Sequence, residues 1–150
     1  MIELRRALPS DILYLIKEIR EEDAKEIQVC TGKTSAELLL PLSKDKDLLM
    51  PLRDVKAIYS GDTLLGIGGY GKGRVIVGWM ILTKAVEDHK IEFLKWSKQY
   101  VDDLLEDHEA IVNEMYRYNK WHYRYLEYLG ATFSGSNADK NILCFRIERK

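Results

Sequence analysis

The sequence predicts an α+β domain, a mixed and mostly antiparallel sheet flanked by helices in the order β-α-α-β-β-β-α-β-α-β-β. Three stretches carry that expectation. From Val55 to Leu82 the apolar period is two, and turns at Gly61-Asp62 and Gly71-Lys72-Gly73 divide the run into an antiparallel meander. From Val86 to Leu105 the period becomes helical, over the longest helix expected in the chain. From Tyr118 to Phe133, Asn119 opens an aromatic-rich helix that stops at Gly130 and re-enters an extended segment, because glycine takes the left-handed cap without strain.

In chain order, Ile2 to Leu8 forms the first strand, with Ile2, Leu4 and Ala7 as its apolar positions. Ser10 or Asp11 then caps a single helix from Ile12 to about Ile27, since a short side-chain oxygen accepts from first-turn amides. Ile12, Leu15, Ile16, Ile19, Ala24 and Ile27 form its stripe, and Lys17, Glu18, Glu21 and Glu22 its wet face. After the turn at Cys30-Thr31-Gly32-Lys33, Thr34 or Ser35 caps a shorter helix striped by Ala36, Leu38, Leu39 and Leu42. Lys44 to Asp47 is a charged turn, and Pro51 leaves Leu48 to Leu52 without a regular assignment. Within the meander, Gly66, Gly68 and Gly69 signal a bulge or a close backbone approach. The long helix buries Ile91, Leu94, Val101, Leu104 and Leu105, flanked by Trp96 or Tyr100. Glu109 to Tyr116 is a strand centred on Ile111 and Val112. In the last helix His122, Tyr125, Leu126 and Leu129 share a face. Ala131 to Ser134 and Asn141 to Glu148 close the sheet around a polar turn.

Bulk properties narrow the function classes. A chain of 150 residues is expected to form one domain, residues 1–150, with a real core. With 46% apolar and 31% charged residues it reads as an ordinary globule and not a disordered chain. A net charge of -1 without a basic tail gives no clear nucleic-acid binding by bulk charge, and leaves only a local patch open. Cys30 and Cys144 have no CxxC or Cys/His companions, so neither a metal site nor a disulfide framework is read, and synthesis in a reducing cytoplasm is expected. The opening MIELRRALPSD lacks a signal-peptide apolar region, and no apolar run reaches the length of a membrane span. GIGGYGKG, residues 66–73, lies between strands and lacks a following Lys-Ser/Thr, so it reads as a glycine turn and not a phosphate loop.

The element order resembles the GNAT acyltransferases over nearly the whole chain. Asn119, Leu126, Leu129-Gly130 and Phe133 resemble that family's Asn-helix-Leu-Gly signature. A narrower resemblance is to the internal virion proteins of short-tailed (podovirus) phages. It rests on Trp79, on the long helix without a glycine-rich entrance, and on the run Asn119, His122, Arg124, Leu126, Gly130, Ala131 and Phe133. The opening Arg5-Arg6-Ala7 followed by Ser10-Asp11 agrees with it. The first resemblance implies acetyl-CoA-dependent N-acetylation, with the pyrophosphate on backbone amides at the start of the long helix. The second implies a particle component, made in the host cytoplasm and then carried in the virion, whose partners are other virion or phage proteins.

Several positions speak against the chemistry that the GNAT resemblance implies. The expected pyrophosphate turn, Thr83 to His89, has no glycine and places Glu87 and Asp88 where phosphates would approach. Two like unit charges about 4 Å apart repel by about 1 kcal/mol even in bulk water. The same carboxylates suit the first turn of a helix and would fill the anion site themselves. The family's thiolate-protonating tyrosine falls on Leu126, and Tyr125 and Tyr128 are rotated about 100° and 200° from it around the helix. His122 and Tyr125 are the candidate catalytic residues, with a core-edge histidine and packing or surface roles for Tyr123, Tyr125 and Tyr128 favoured. Glu109 and Glu114 are further candidate bases without a visible partner. Were acetyl-CoA bound, Met80, Ile81, Leu82, Lys84 and Asn119 would hold it. Asn119 either bonds the splayed fourth and fifth strands or caps the helix, the cap being favoured. The expectation is a phage particle-associated protein acting through protein contacts, without acetyl-CoA chemistry and with no cofactor. The alternative is an active N-acetyltransferase that transfers acetyl from acetyl-CoA to an amine.

Overall fold

The computed structural model describes residues 1–44, 55–136 and 139–149, with side chains given for all of these except residues 42–44. The Leu42 side chain, the expected turn at 45–47 and the stretch Leu48–Leu52 lie outside the described residues. Seven strands form one sheet: β1 (Ile2–Arg6), β2 (Lys56–Ser60), β3 (Thr63–Tyr70), β4 (Val75–Leu82), β5 (Ala110–Tyr116), β6 (Thr132–Gly135) and β7 (Ile142–Glu148). Their spatial order is β1-β2-β3-β4-β5-β7-β6. Only β4 and β5 run parallel, because the crossover between them carries the long helix. The helices are α1 (Pro9–Glu18), α2 (Glu21–Thr31), α3 (Ser35–Lys44), α4 (Lys90–Asp107) and α5 (Lys120–Tyr128).

Strand alternation divides the apolar residues between two layers. Ala57, Ile67 and Ile81 pack with Ile12, Leu15, Ile27 and Leu39 of the first three helices. Ile58, Leu65, Ile76 and Ile111 pack with Phe93, Val101 and Leu126 of the last two. The glycine-rich middle strand contains both features its composition signalled. The β2–β3 register jumps from Ile58↔Gly66 to Tyr59↔Leu64, leaving Leu65 as the extra residue of a bulge. A Cβ on Gly66 would lie 2.6 Å from the Ile81 carbonyl oxygen, and one on Gly69 would lie 3.2 Å from the Trp79 indole nitrogen.

The single helix expected over 12–27 is two helices, broken at Ile19-Arg20. There the Arg20 N–H donates to the Leu82 carbonyl (3.2 Å) and Ile19 bridges Thr83, so tertiary pairing replaces one helical turn. Neither Ser10 nor Asp11 is the N-cap of α1. Pro9 occupies the first turn, and Asp11, one turn in, accepts from the Leu8 N–H (2.8 Å) and from the Tyr59 hydroxyl. Thr34 caps α3 reciprocally: its hydroxyl accepts from the Glu37 N–H (3.1 Å) while Glu37 accepts from the Thr34 N–H (3.2 Å).

The long helix begins at Lys90 and not Val86, because Lys84–His89 is a 3-10 turn. Of the expected stripe, Val101 and Leu105 are buried and Leu94 and Leu104 pack against the core, while Ile91 is 74% exposed and Phe93 and Ser97 face inward in its place. Leu4, expected to be apolar and inward, stays over a third exposed on the edge strand. The remaining boundaries agree with the expectation to within about two residues. Gly130 ends the last helix region at φ 92°.

Candidate functional site

The sheet splits at its one parallel junction. Pairing between β4 and β5 runs from Val75↔Ala110 to Val77↔Val112. Beyond it the Asn113 side-chain amide donates to the Gly78 carbonyl (2.9 Å), bridging the point of divergence. A cavity of about 280 Å³ occupies the split, walled by apolar groups including Met80, Ile81, Val101, Leu126 and Phe145. Polar groups are few, with Glu26, Asn113 and His122 among them.

Of the sequence-expected site residues, Met80, Ile81, His122 and Tyr125 come together around this cavity, and Glu114 lies at its edge. His122 Nδ1 sits 2.7 Å from Glu26 Oε1, and Glu26 Oε2 accepts from the Tyr116 N–H (2.9 Å). The pair joins α2 to α5, helices of opposite layers, where β5 has ended. Tyr125 packs against Phe93 (ring centroids 5.6 Å) and Trp121 (5.2 Å), which also meet each other (6.3 Å). Burial pushes its hydroxyl pKa well above the ordinary tyrosine value, against an opposing pull from Ser97.

The other expected residues stand elsewhere. Leu82 gives its carbonyl to Arg20, Lys84 is exposed on the 3-10 turn, and Glu109 pairs with Arg74 (2.9 Å) at the sheet's far end. Tyr128 is 47% exposed and Tyr123 stacks on Phe133 at 4.3 Å. Asn119 caps α5 by accepting from the His122 N–H (3.4 Å), and its amide donates to Asp23 (3.0 Å). The residue that bonds the splayed strands is Asn113, not Asn119.

A buried polar chain lies beside the turn that leads into α4. Arg20, 4% exposed, reaches Asp23 (3.3 Å), Glu22 (3.3 Å) and Glu87 (3.5 Å), and its guanidinium lies 4.8 Å from the Trp121 ring centroid. Desolvation raises the Asp23 pKa, against Arg20 and the Asn119 amide, which lower it. At the start of α4, Glu92 accepts from Ser60 (3.2 Å). Three carboxylates, Glu87, Asp88 and Glu92, therefore stand within the turn and first helical residues, where free amides would otherwise attract an anion.

Sequence reasoning missed Arg20, Asp23, Glu26 and Asn113. Asp23 and Glu26 are three apart and flank Ile27 on the inward face of α2, and Asn113 interrupts an otherwise apolar strand. Those were the available signals. Among the described residues no group of three or more His, Cys, Asp or Glu side chains could hold a metal ion, and no helix is long and apolar enough to cross a membrane.

A family model described as bacteriophage T7, probable scaffold protein Gp13, matches residues 54–137. Among solved structures, the aminoglycoside acetyltransferase AAC(6')-Ib in complex with ribostamycin and coenzyme A superposes with TM-score 0.70 at 16% identity, over 99% of this chain and 93% of that one. A GNAT-family acetyltransferase from Bacillus anthracis gives 0.69 at 10% identity, over 98% and 94%. Ard1 from Thermoplasma volcanium gives 0.60 at 11%, over 99% and 98%. At such identities the likeness carries the fold, which is that of the GNAT acetyltransferases. No curated protein sequence matches the chain.

Proposed function

The chain belongs to the family of the bacteriophage T7 probable scaffold protein Gp13, and from that premise we propose that it is a phage particle-associated protein that uses a GNAT fold without acetyl-CoA chemistry. It acts as one domain through contacts with other phage proteins, made in the host cytoplasm and carried into the particle. One observation carries the loss of chemistry: Glu87, at the turn leading into α4, is ion-paired to the buried Arg20. A pyrophosphate there would meet that carboxylate and its neighbours Asp88 and Glu92, and would compete with Glu87 for Arg20. The residues at this entrance do not fit the cofactor. The raised hydroxyl pKa of Tyr125, buried against the Phe93 and Trp121 rings, also makes it a poor proton donor at neutral pH.

Calorimetric titration with acetyl-CoA and with free CoA tests this reading. No heat and no thermal shift at millimolar cofactor is expected, and micromolar binding would refute it. Mass spectrometry of purified particles tests the location, because a protein absent from particles is not a virion component.

A second reading, an N-acetyltransferase with an altered entrance, draws on the cavity in the β4–β5 split and the His122–Glu26 pair in its wall. It requires Lys84 and Lys90 to offset the carboxylates. A Lys84→Ala/Lys90→Ala variant that kept full affinity for a bound cofactor would count against it.

A further inference from the structure

On the outer side of α5, away from the sheet split, lies a second concavity of about 570 Å³. Its wall carries three cations, Arg117, Lys120 and Arg124, and the aromatic rings of Tyr118, Tyr123 and Phe133. Among the described residues no carboxylate lines it. All three cations are exposed, and their side chains form no ion pair among the described residues. In a chain whose net charge is -1, three unpaired positive charges around one groove are a local concentration and not a general excess.

We propose that this groove binds single-stranded nucleic acid. Lys120 and Arg124 are four residues apart, so their side chains rise from one face of α5 about one turn apart. Arg117 approaches from the loop before the helix. Together they line a backbone track for phosphates. The aromatic component selects among anions. Tyr118 is 59% exposed, its ring meeting Tyr116 edge to face at 5.6 Å, and the Tyr123–Phe133 stack forms a flat wall beside it. Bases stack on such rings without sequence preference, whereas an acidic peptide gains nothing comparable from them. A double helix hides its base faces, which leaves a single strand as the occupant that uses both halves of the groove.

Fluorescence anisotropy of the purified full chain with labelled twelve-nucleotide oligothymidine and oligouridine tests this. Neutralising about three phosphates on a single strand gives a salt slope near -2, so affinity should fall about fifteenfold between 50 and 200 mM salt. The combined Arg117→Ala, Lys120→Ala and Arg124→Ala variant should lose binding at least tenfold and flatten that slope. Tyr118→Ala should weaken binding roughly fivefold or more with the slope unchanged, the signature of a lost stack. A control removing three exposed cations elsewhere, Lys17, Lys72 and Lys95, should bind like the parent chain. Either oligonucleotide binding in this way supports the site, and preference between them tells DNA from RNA. Unaltered binding in the groove variant, an equal loss in the control, or stronger binding of a polyglutamate peptide than of either oligonucleotide would overturn it.

Discussion

Asp23 offers the sharpest test of how the buried polar chain between α2 and α5 is held. Its carboxylate takes hydrogen bonds from Arg20 (3.3 Å) and from the Asn119 amide (3.0 Å), and the Asp23 and Arg20 side chains are 10% and 5% exposed. Asp23→Ala leaves the Asn119 amide buried without its acceptor, which costs about 1–3 kcal/mol. It also breaks a buried ion pair, which costs about 3–5 kcal/mol where no other partner remains. Arg20 keeps Glu22 and Glu87, both more than half exposed, so the second cost is only partly realised. The expected net loss is about 2–4 kcal/mol. Asp23→Asn keeps the shape and an acceptor for Asn119 while removing a charge that burial already disfavours, as the raised Asp23 pKa records. Its expected cost at neutral pH is about 1 kcal/mol or less. The pH dependence follows from the same shift. A folded-state pKa above the unfolded value means the native chain takes up the proton first. Stability from this group therefore rises as pH falls from the raised folded pKa towards the ordinary aspartate range, and Asp23→Asn lacks that gain. Urea unfolding followed by circular dichroism measures all of this. Equal destabilisation by Asn and Ala, or an Ala variant costing under about 1 kcal/mol, would refute the reasoning.

Other expectations follow from the packing. Phe93→Ala should cost about 3–5 kcal/mol, since Phe93 is fully buried against Tyr125, whereas Ile91→Ala two residues away should change stability by less than about 0.5 kcal/mol; denaturant midpoints compare them directly. Gly66→Ala should lower the melting temperature, with an overpacking cost of about 1–3 kcal/mol, because its Cβ would meet the Ile81 carbonyl oxygen at 2.6 Å. The Cys30 thiol, pushed up to about 12 by burial and by the nearby Glu26, Glu114 and Asp139 charges, should react with a thiol reagent at pH 8 far more slowly in the native chain than in urea, measured in a Cys144→Ser background.

The sheet splits where the parallel β4–β5 pairing ends, beyond Val77↔Val112. Arg20, Asp23 and Asn119 tie α2 to α5, and Glu87 draws the turn before α4 onto the same guanidinium.

Much of this was written in local sequence. Period-two alternation and glycine turns specified the meander, because strand side chains alternate faces whatever they later pack against. Asn119 and Gly130 bounded α5, because capping is chemistry within a few residues. The absence of glycine at Thr83–His89 and the acids within it were also plain from the sequence. Three things required the tertiary structure. The break at Ile19-Arg20 has no local breaker, and arises because the end of β4 takes that backbone for its own hydrogen bonds. At the start of α4 Ile91 is exposed and Phe93 fully buried against Tyr125, a choice between neighbouring apolar positions that only the tertiary packing makes. The partners of Arg20, Asp23 and Glu26 lie up to about a hundred positions away in the chain, and the groove cations form no ion pair among the described residues. Charge acts through space, so only the fold could decide which of these side chains would be paired and which left open.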